Sequence, residues 1–94
     1  MKLGNTIKEL RKQKRIPQEF LAEKCGITQA YLSLIENDKK EPNLSTLKVI
    51  SKALETPLPI IFYLSLSEED ISESKKSLFS QLNPSIKNLV SNYI

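Results

Sequence analysis

The stretch from Gln18 to Glu36, QEFLAEKCGITQAYLSLIE, limits what this chain can fold into more than any other. Leu21, Ala22 and Cys25 repeat at helical spacing and stop at Gly26, after which Tyr31, Leu32 and Ile35 resume it. The pattern predicts two short helices joined by a tight turn. Thr28 supplies an oxygen that can cap the second of them. Ala22 is small enough for the helices to cross closely, and Gly26 enters the left-handed backbone region without a Cβ clash. Ile27, Leu32 and Ile35 would then fix the second helix against the first. Such a unit buries one face and leaves the other free.

The flanks read as further helices. A first helix is expected from Leu3 to Lys14, with Leu3, Ile7 and Leu10 inward and Lys8, Arg11, Lys12 and Lys14 outward. Pro17 suits the start of the second helix but brings no capping oxygen. Asp38, in the loop after the second element of the pair, tolerates positive φ. Asn43 caps a fourth helix reaching Leu54, with Leu44, Leu47, Ile50 and Leu54 assigned to the core. Pro57 and Pro59 start a fifth, containing Ile60, Ile61, Phe62 and Leu64. Beyond it, Ser67-Glu-Glu-Asp70 has the form of a capping box and opens a polar surface helix to about Leu82. Asn83-Pro84 then reads as the start of a last helix whose apolar stripe is Ile86, Leu89, Val90, Tyr93 and Ile94.

Composition narrows the function. A single Cys excludes an internal disulfide and suits a reducing cytoplasm. With no His and one Cys, neither a structural metal nor a cofactor is expected, and Cys25 reads as a packing residue. No nucleophile-and-base pair and no phosphate-binding Gly loop occur, so an enzyme is not expected. No apolar run after the N-terminal basic residues suggests a signal peptide, and Leu58 to Leu66 is too short to span a bilayer. The charge is uneven. Residues 1–43 hold nine Lys/Arg against six Asp/Glu, whereas residues 44–94 hold five of each. The excess positive charge therefore lies with the helical pair, as a phosphate backbone would require.

The residues from Ile7 to Leu64 resemble the phage-repressor, Cro-like or XRE-type helix-turn-helix family. The resemblance rests on Ile7-Lys-Glu-Leu-Arg-Lys, on Gln18, Leu21-Ala22, Gly26 and Ile35-Glu-Asn, and on Lys39-Lys40-Glu-Pro42, Leu44-Ser-Thr-Leu47 and Ala53-Leu54. It departs from the family at Arg15 and Asp38, where glycine is usual. The resemblance implies an all-α, lambda-repressor-like bundle of five helices, here with one or two extra C-terminal helices. Residues 1–66 form the expected DNA-binding domain and residues 67–94 a helical extension.

The same resemblance implies a recognition helix from about Thr28 to Glu36 in the major groove of double-stranded DNA. Its base-contacting positions map to Gln29, Ala30, Ser33 and Leu34. The Gln29 amide can both donate to and accept from an adenine edge, whereas Ala30 and Leu34 offer apolar contact only. So light an equipment leaves much of the specificity to DNA shape. Gln18, Thr28, Asn37, Lys39, Lys40 and Asn43 are the expected phosphate contacts, with simple solvation the alternative for Lys39 and Lys40. Arg11 and Glu36 are implied to form a structural ion pair, Arg11 alternatively meeting phosphate.

The function these features imply is a sequence-specific transcriptional regulator, a repressor, acting as a homodimer on a two-fold operator. For the C-terminal stripe (Ile86, Leu89, Val90, Tyr93 and Ile94), self-association, docking on its own bundle and capture of a partner are all open. The rival reading is an antitoxin or protein-interaction module whose C-terminal helices bind a partner such as a toxin.

Overall fold

Each helix begins and ends where the local chemistry directs. In the computed structural model, which describes residues 1–93, the α-helices are α1 (Leu3–Gln13), α2 (Gln18–Cys25), α3 (Gln29–Glu36), α4 (Leu44–Ala53), α5 (Leu58–Ser65) and α6 (Lys76–Tyr93). Ile94 and the side chain of Tyr93, both assigned above to the apolar stripe, lie outside the described residues. Thr28 Oγ accepts from the Tyr31 N–H at 3.0 Å and Asn43 Oδ1 from the Thr46 N–H at 2.8 Å, so α3 and α4 are capped by their own preceding residues. Pro17 precedes α2 in extended conformation and leaves that helix without a side-chain cap.

The ends of α1 to α4 share one device. Arg15 (φ 56°), Gly26 (φ 68°), Asp38 (φ 56°) and Glu55 (φ 53°) all turn the chain through the left-handed region. Each lets the next residue's N–H reach back to a carbonyl of the last turn, as in Ile16 to Arg11 at 3.1 Å and Thr56 to Ser51 at 3.0 Å. Three of the four are not glycine and accept a strain of about 1 kcal/mol each.

The core is the face that these turns bring together: Ile7, Leu10, Leu21, Ala22, Leu32, Ile35, Leu47, Ile50, Leu54 and Ile61. Helix α1 packs on α3 and α5, α2 on α3 and α4, and α4 on α5. Leu44 departs from the expectation. It is 55% exposed, because the first turn of α4 stands clear of the bundle and packing begins only at Leu47.

The C-terminal region adds one α-helix, within the one or two expected, but its bounds differ from those read from the sequence. Asp70 Oδ2 accepts from the Ser67 N–H at 2.9 Å, but the turn so made is a single 3₁₀ turn, Glu68–Asp70. Ile71 and Ser72 are extended, a second 3₁₀ turn covers Glu73–Lys75, and α6 starts only at Lys76. A polar stretch with little apolar surface to bury has no tertiary packing to propagate a helix. Asn83-Pro84 starts no new helix either, because α6 runs straight through it. Pro84 is exposed, so the Ser80 carbonyl it leaves unpaired lies on the side that water reaches. No helix among the described residues is long and apolar enough to cross a membrane.

Candidate nucleic-acid interface

The outer face of α3 is anchored from behind by a buried charge. Glu36, the last residue of α3, is 2% exposed in a position that would be prohibitive for an unpaired carboxylate. Arg11 of α1 meets it with two bonds, Nε to Oε2 at 2.8 Å and Nη2 to Oε1 at 3.1 Å. The remaining guanidinium nitrogen, Nη1, donates to the Ile16 carbonyl at 2.7 Å, which fixes the loop leading into α2. This planar, forked arrangement is one that lysine could not make.

The same carboxylate reaches the exposed surface through two glutamines. Gln18 Nε2 donates to Glu36 Oε1 at 3.1 Å, and Gln29 Nε2 donates to Gln18 Oε1 at 3.3 Å. Gln18 stands at the first position of α2 and Gln29 at the first of α3, so the chain of bonds ties both helix starts to the α1 scaffold. Gln29 and Ala30 are exposed, Leu34 is 42% exposed and Ser33 is half-buried. Ser33 is also engaged: Asn37 Nδ2 donates to its carbonyl at 2.9 Å and to its hydroxyl at 3.4 Å. Gln29, Ala30 and Leu34 are thus exposed on one helical face, Gln29 held by its bond to Gln18, while Ser33 shares its hydroxyl with Asn37.

The residues assigned to phosphate fall into two groups. Gln18 and Thr28 stand at the starts of α2 and α3, and the hydroxyl of Thr28 keeps its hydrogen to donate because its oxygen serves as acceptor in the cap. Asn37, Lys39, Lys40 and Asn43 stand beyond the far end of α3. Asn43 uses its oxygen as a cap and keeps its NH₂ donors. Lys39 and Lys40 are exposed, with Lys40 Nζ 5.6 Å from the centre of the Tyr31 ring.

Two residues that sequence reasoning missed complete the support. The Asp38 carboxylate accepts from the Gly4 N–H at 2.9 Å and the Asn5 N–H at 3.2 Å, capping α1 from 34 positions away. Gly4 is the contact that permits it. A Cβ there would lie 1.8 Å from the Ile35 carbonyl oxygen. A glycine inside an otherwise helical pattern is the one signal that announces so close an approach. Cys25 is partly buried at the end of α2, and its thiol pKa is raised by desolvation, as befits packing rather than reactivity.

Comparison with known proteins agrees with this geometry. Residues 7–61, more than half of the chain, match the helix-turn-helix family. The chain is similar to the immunity repressor protein of Bacillus phage phi105, 32% identical over 97 residues that cover 90% of this chain and 67% of that protein. It is similar to the HTH-type transcriptional regulator SinR of Bacillus licheniformis, at 34% identity over 84% of this chain and 68% of the relative. Control protein C.SmaI of Serratia marcescens is 33% identical over 61% of this chain and 68% of its own length.

Proposed function

The chain belongs to the phage-repressor, XRE-type helix-turn-helix family of DNA-binding regulators, and on that premise we propose that it is a sequence-specific repressor binding a two-fold operator as a homodimer. The observation that carries this reading is the chain of bonds from Arg11 through Glu36 and Gln18 to Gln29. It holds an exposed amide on a helix locked to the scaffold, which is what bidentate reading of an adenine in the major groove requires. Gln29, Ala30, Ser33 and Leu34 read base edges. The unoccupied N–H groups at the start of α2, with Gln18 and Thr28, bind one backbone. Asn37, Lys39, Lys40 and Asn43 bind the backbone on the other side of the groove. Residues 1–66 do this work, and residues 67–94 serve self-association.

Selection of bound sequences from a random pool of double-stranded DNA tests the reading. The expected product is an inverted repeat whose half-sites lie about one helical turn, ~34 Å, apart. Affinity for it should fall linearly with the logarithm of salt concentration, with a slope near one unit per phosphate contact. A pool that converges on no sequence would refute base reading.

A further inference from the structure

The hydroxyl of Ser33 is set differently from other serines in this chain's helices. A serine hydroxyl has one hydrogen to give and two lone pairs with which to receive. Inside a helix that hydrogen commonly goes to a carbonyl three or four residues back. Ser51 gives it to Lys48 at 2.9 Å, Ser65 to Ile61 at 2.7 Å and Ser91 to Lys87 at 2.7 Å. The Ser33 oxygen instead receives Asn37 Nδ2 at 3.4 Å, and among the described residues its hydrogen goes to no protein group. The same Nδ2 lies 2.9 Å from the Ser33 carbonyl oxygen, where the amide oxygen would be repelled, so it is the NH₂ of Asn37 that faces the hydroxyl. The Asn37 backbone N–H meets that carbonyl as well, at 3.1 Å, which fixes the residue in place.

We infer that Ser33 reads DNA as a hydrogen-bond donor and that Asn37 is the positioning residue that makes it one; the inference rests on the base reading proposed above. At 3.4 Å the Asn37 contact is weak, and its effect is one of direction. The hydroxyl hydrogen turns away from the NH₂ and, not being spent on the helix, points toward the side where Gln29, Ala30 and Leu34 are exposed. A hydroxyl alone can give to or receive from a base edge. With one lone pair covered and its hydrogen released, this one favours an acceptor, which in the major groove is purine N7, guanine O6 or thymine O4. It disfavours the amino groups of cytosine and adenine. Accepting a bond also strengthens the bond that the same hydroxyl gives.

Geometry limits where the base lies. Gln29 and Ser33 stand one turn apart on α3, four residues or ~6 Å along its axis. Successive base pairs are ~3.4 Å apart, so the two side chains meet base pairs no more than about two steps from each other. Asn37 thereby gains a task that differs in kind from a phosphate contact. A phosphate contact weakens or strengthens all sequences alike, whereas a residue that directs Ser33 changes which base is preferred at one position.

Titration of the full chain onto its selected site and every single-base variant of that site tests the inference. Ser33→Ala should flatten the preference at one base pair by roughly two- to tenfold, the worth of one neutral hydrogen bond. That pair should lie within about two steps of the one flattened by Gln29→Ala. Asn37→Ala should flatten the same pair, and the double variant no further than Ser33→Ala alone. Asn37 is exposed and alanine is the better helix former at position 33, so both variants should melt with the wild type. Base analogues placed at that pair then identify the atom. Removing an acceptor (purine N7, guanine O6 or thymine O4) should cost the wild type its preference and leave Ser33→Ala unaffected. A loss confined to analogues that lack an amino group overturns the donor assignment. So does a Ser33→Ala protein that keeps every preference. A uniform loss in Asn37→Ala, with the Ser33 pair still discriminated, overturns the positioning role. A wild type that prefers no base anywhere overturns the base reading and this inference together, whereas the other outcomes overturn this one alone.

Discussion

Residues 1–66 and residues 67–93 are both largely helical, yet they are held by different means. In the first region the starts of α1, α3 and α4 are each capped by a side chain, and one of these, Asp38, comes from the distant loop after α3. Its one deeply buried carboxylate has partners on both α1 and α2. In the second region α6 packs mainly on the short turn just before it. To the first region α6 is tied by the bond from Tyr63 to Asn83 and by half-buried Val90, which shares a cleft with Leu10 and Leu64, while its bond from Ser80 to Glu68 at 3.0 Å stays within the second region. The Cα radius of gyration, 14.1 Å, exceeds the roughly 12 Å expected of a compact chain this long, as a projecting helix would make it. The contrast teaches that helix content says little about how a segment is stabilised. One region is closed on itself, and the other keeps an apolar face (Leu82, Ile86 and Leu89) open.

The sharpest way to break this contrast is to unpair the buried charge. Arg11→Met or Glu36→Leu alone should destabilise residues 1–66 by about 3–5 kcal/mol, because each leaves an uncompensated charge. The double variant should regain part of the loss, and thermal melts of all three decide the matter; additive losses would mean that no coupling exists. Gly4→Ala comes next, at about 3 kcal/mol or more, since α1 must move off the Ile35 carbonyl. An alanine variant that melts with the wild type would show the α1–α3 approach to be looser than described.

Gln29→Ala should leave both regions folded and weaken binding to the selected DNA by about 1–3 kcal/mol, with random-sequence affinity nearly unchanged. Equal loss on both DNAs would assign Gln29 no reading role. Tyr63→Phe acts on the other side of the comparison. Loss of one hydrogen bond, worth about 1 kcal/mol, should raise amide exchange in α6 while α1 to α5 keep their protection. Uniform loss of protection would mean that the two regions unfold as one.

The smallest effect is a titration. The Ser67 backbone N–H holds the Asp70 carboxyl below the ordinary aspartate value. A depressed folded value means that the Ser67–Asp70 turn is supported above about pH 4, where the unfolded carboxyl ionises, and loses that support as pH falls through the folded value. An NMR titration should find the Asp70 midpoint below the usual one, and an ordinary midpoint would show the turn to be open in solution.

What the sequence made legible was local or periodic. Thr28 and Asn43 could be read as caps because a cap and the N–H it serves are three residues apart. The inward faces of α1 and α3 followed from spacing. Asp38 could be read as a turn residue but not as the cap of α1, because nothing in its neighbourhood names Gly4 as its partner. Asn83-Pro84 misled for the opposite reason. The dipeptide is a sound local start signal, and only the solvent position of Pro84 on a continuous helix overrides it. The two sides of α6 were merged into one stripe because periodicity reports apolar residues without reporting which of them the bundle reaches. Leu44 was assigned inward on its spacing, although the bundle does not extend to it.

The bond from Gln29 to Gln18 has a consequence for the entropy of recognition. A glutamine side chain has several rotatable bonds, and confining a chain of that kind takes up to about 2 kcal/mol of rotamer freedom. Here Gln29 is already restrained before any DNA arrives, by a neighbour that is itself restrained by Glu36. Less disorder is left to surrender at the moment of contact, so if Gln29 reads a base as proposed above, a correct base pair would meet a side chain that is already aimed and a wrong one a side chain slow to turn aside.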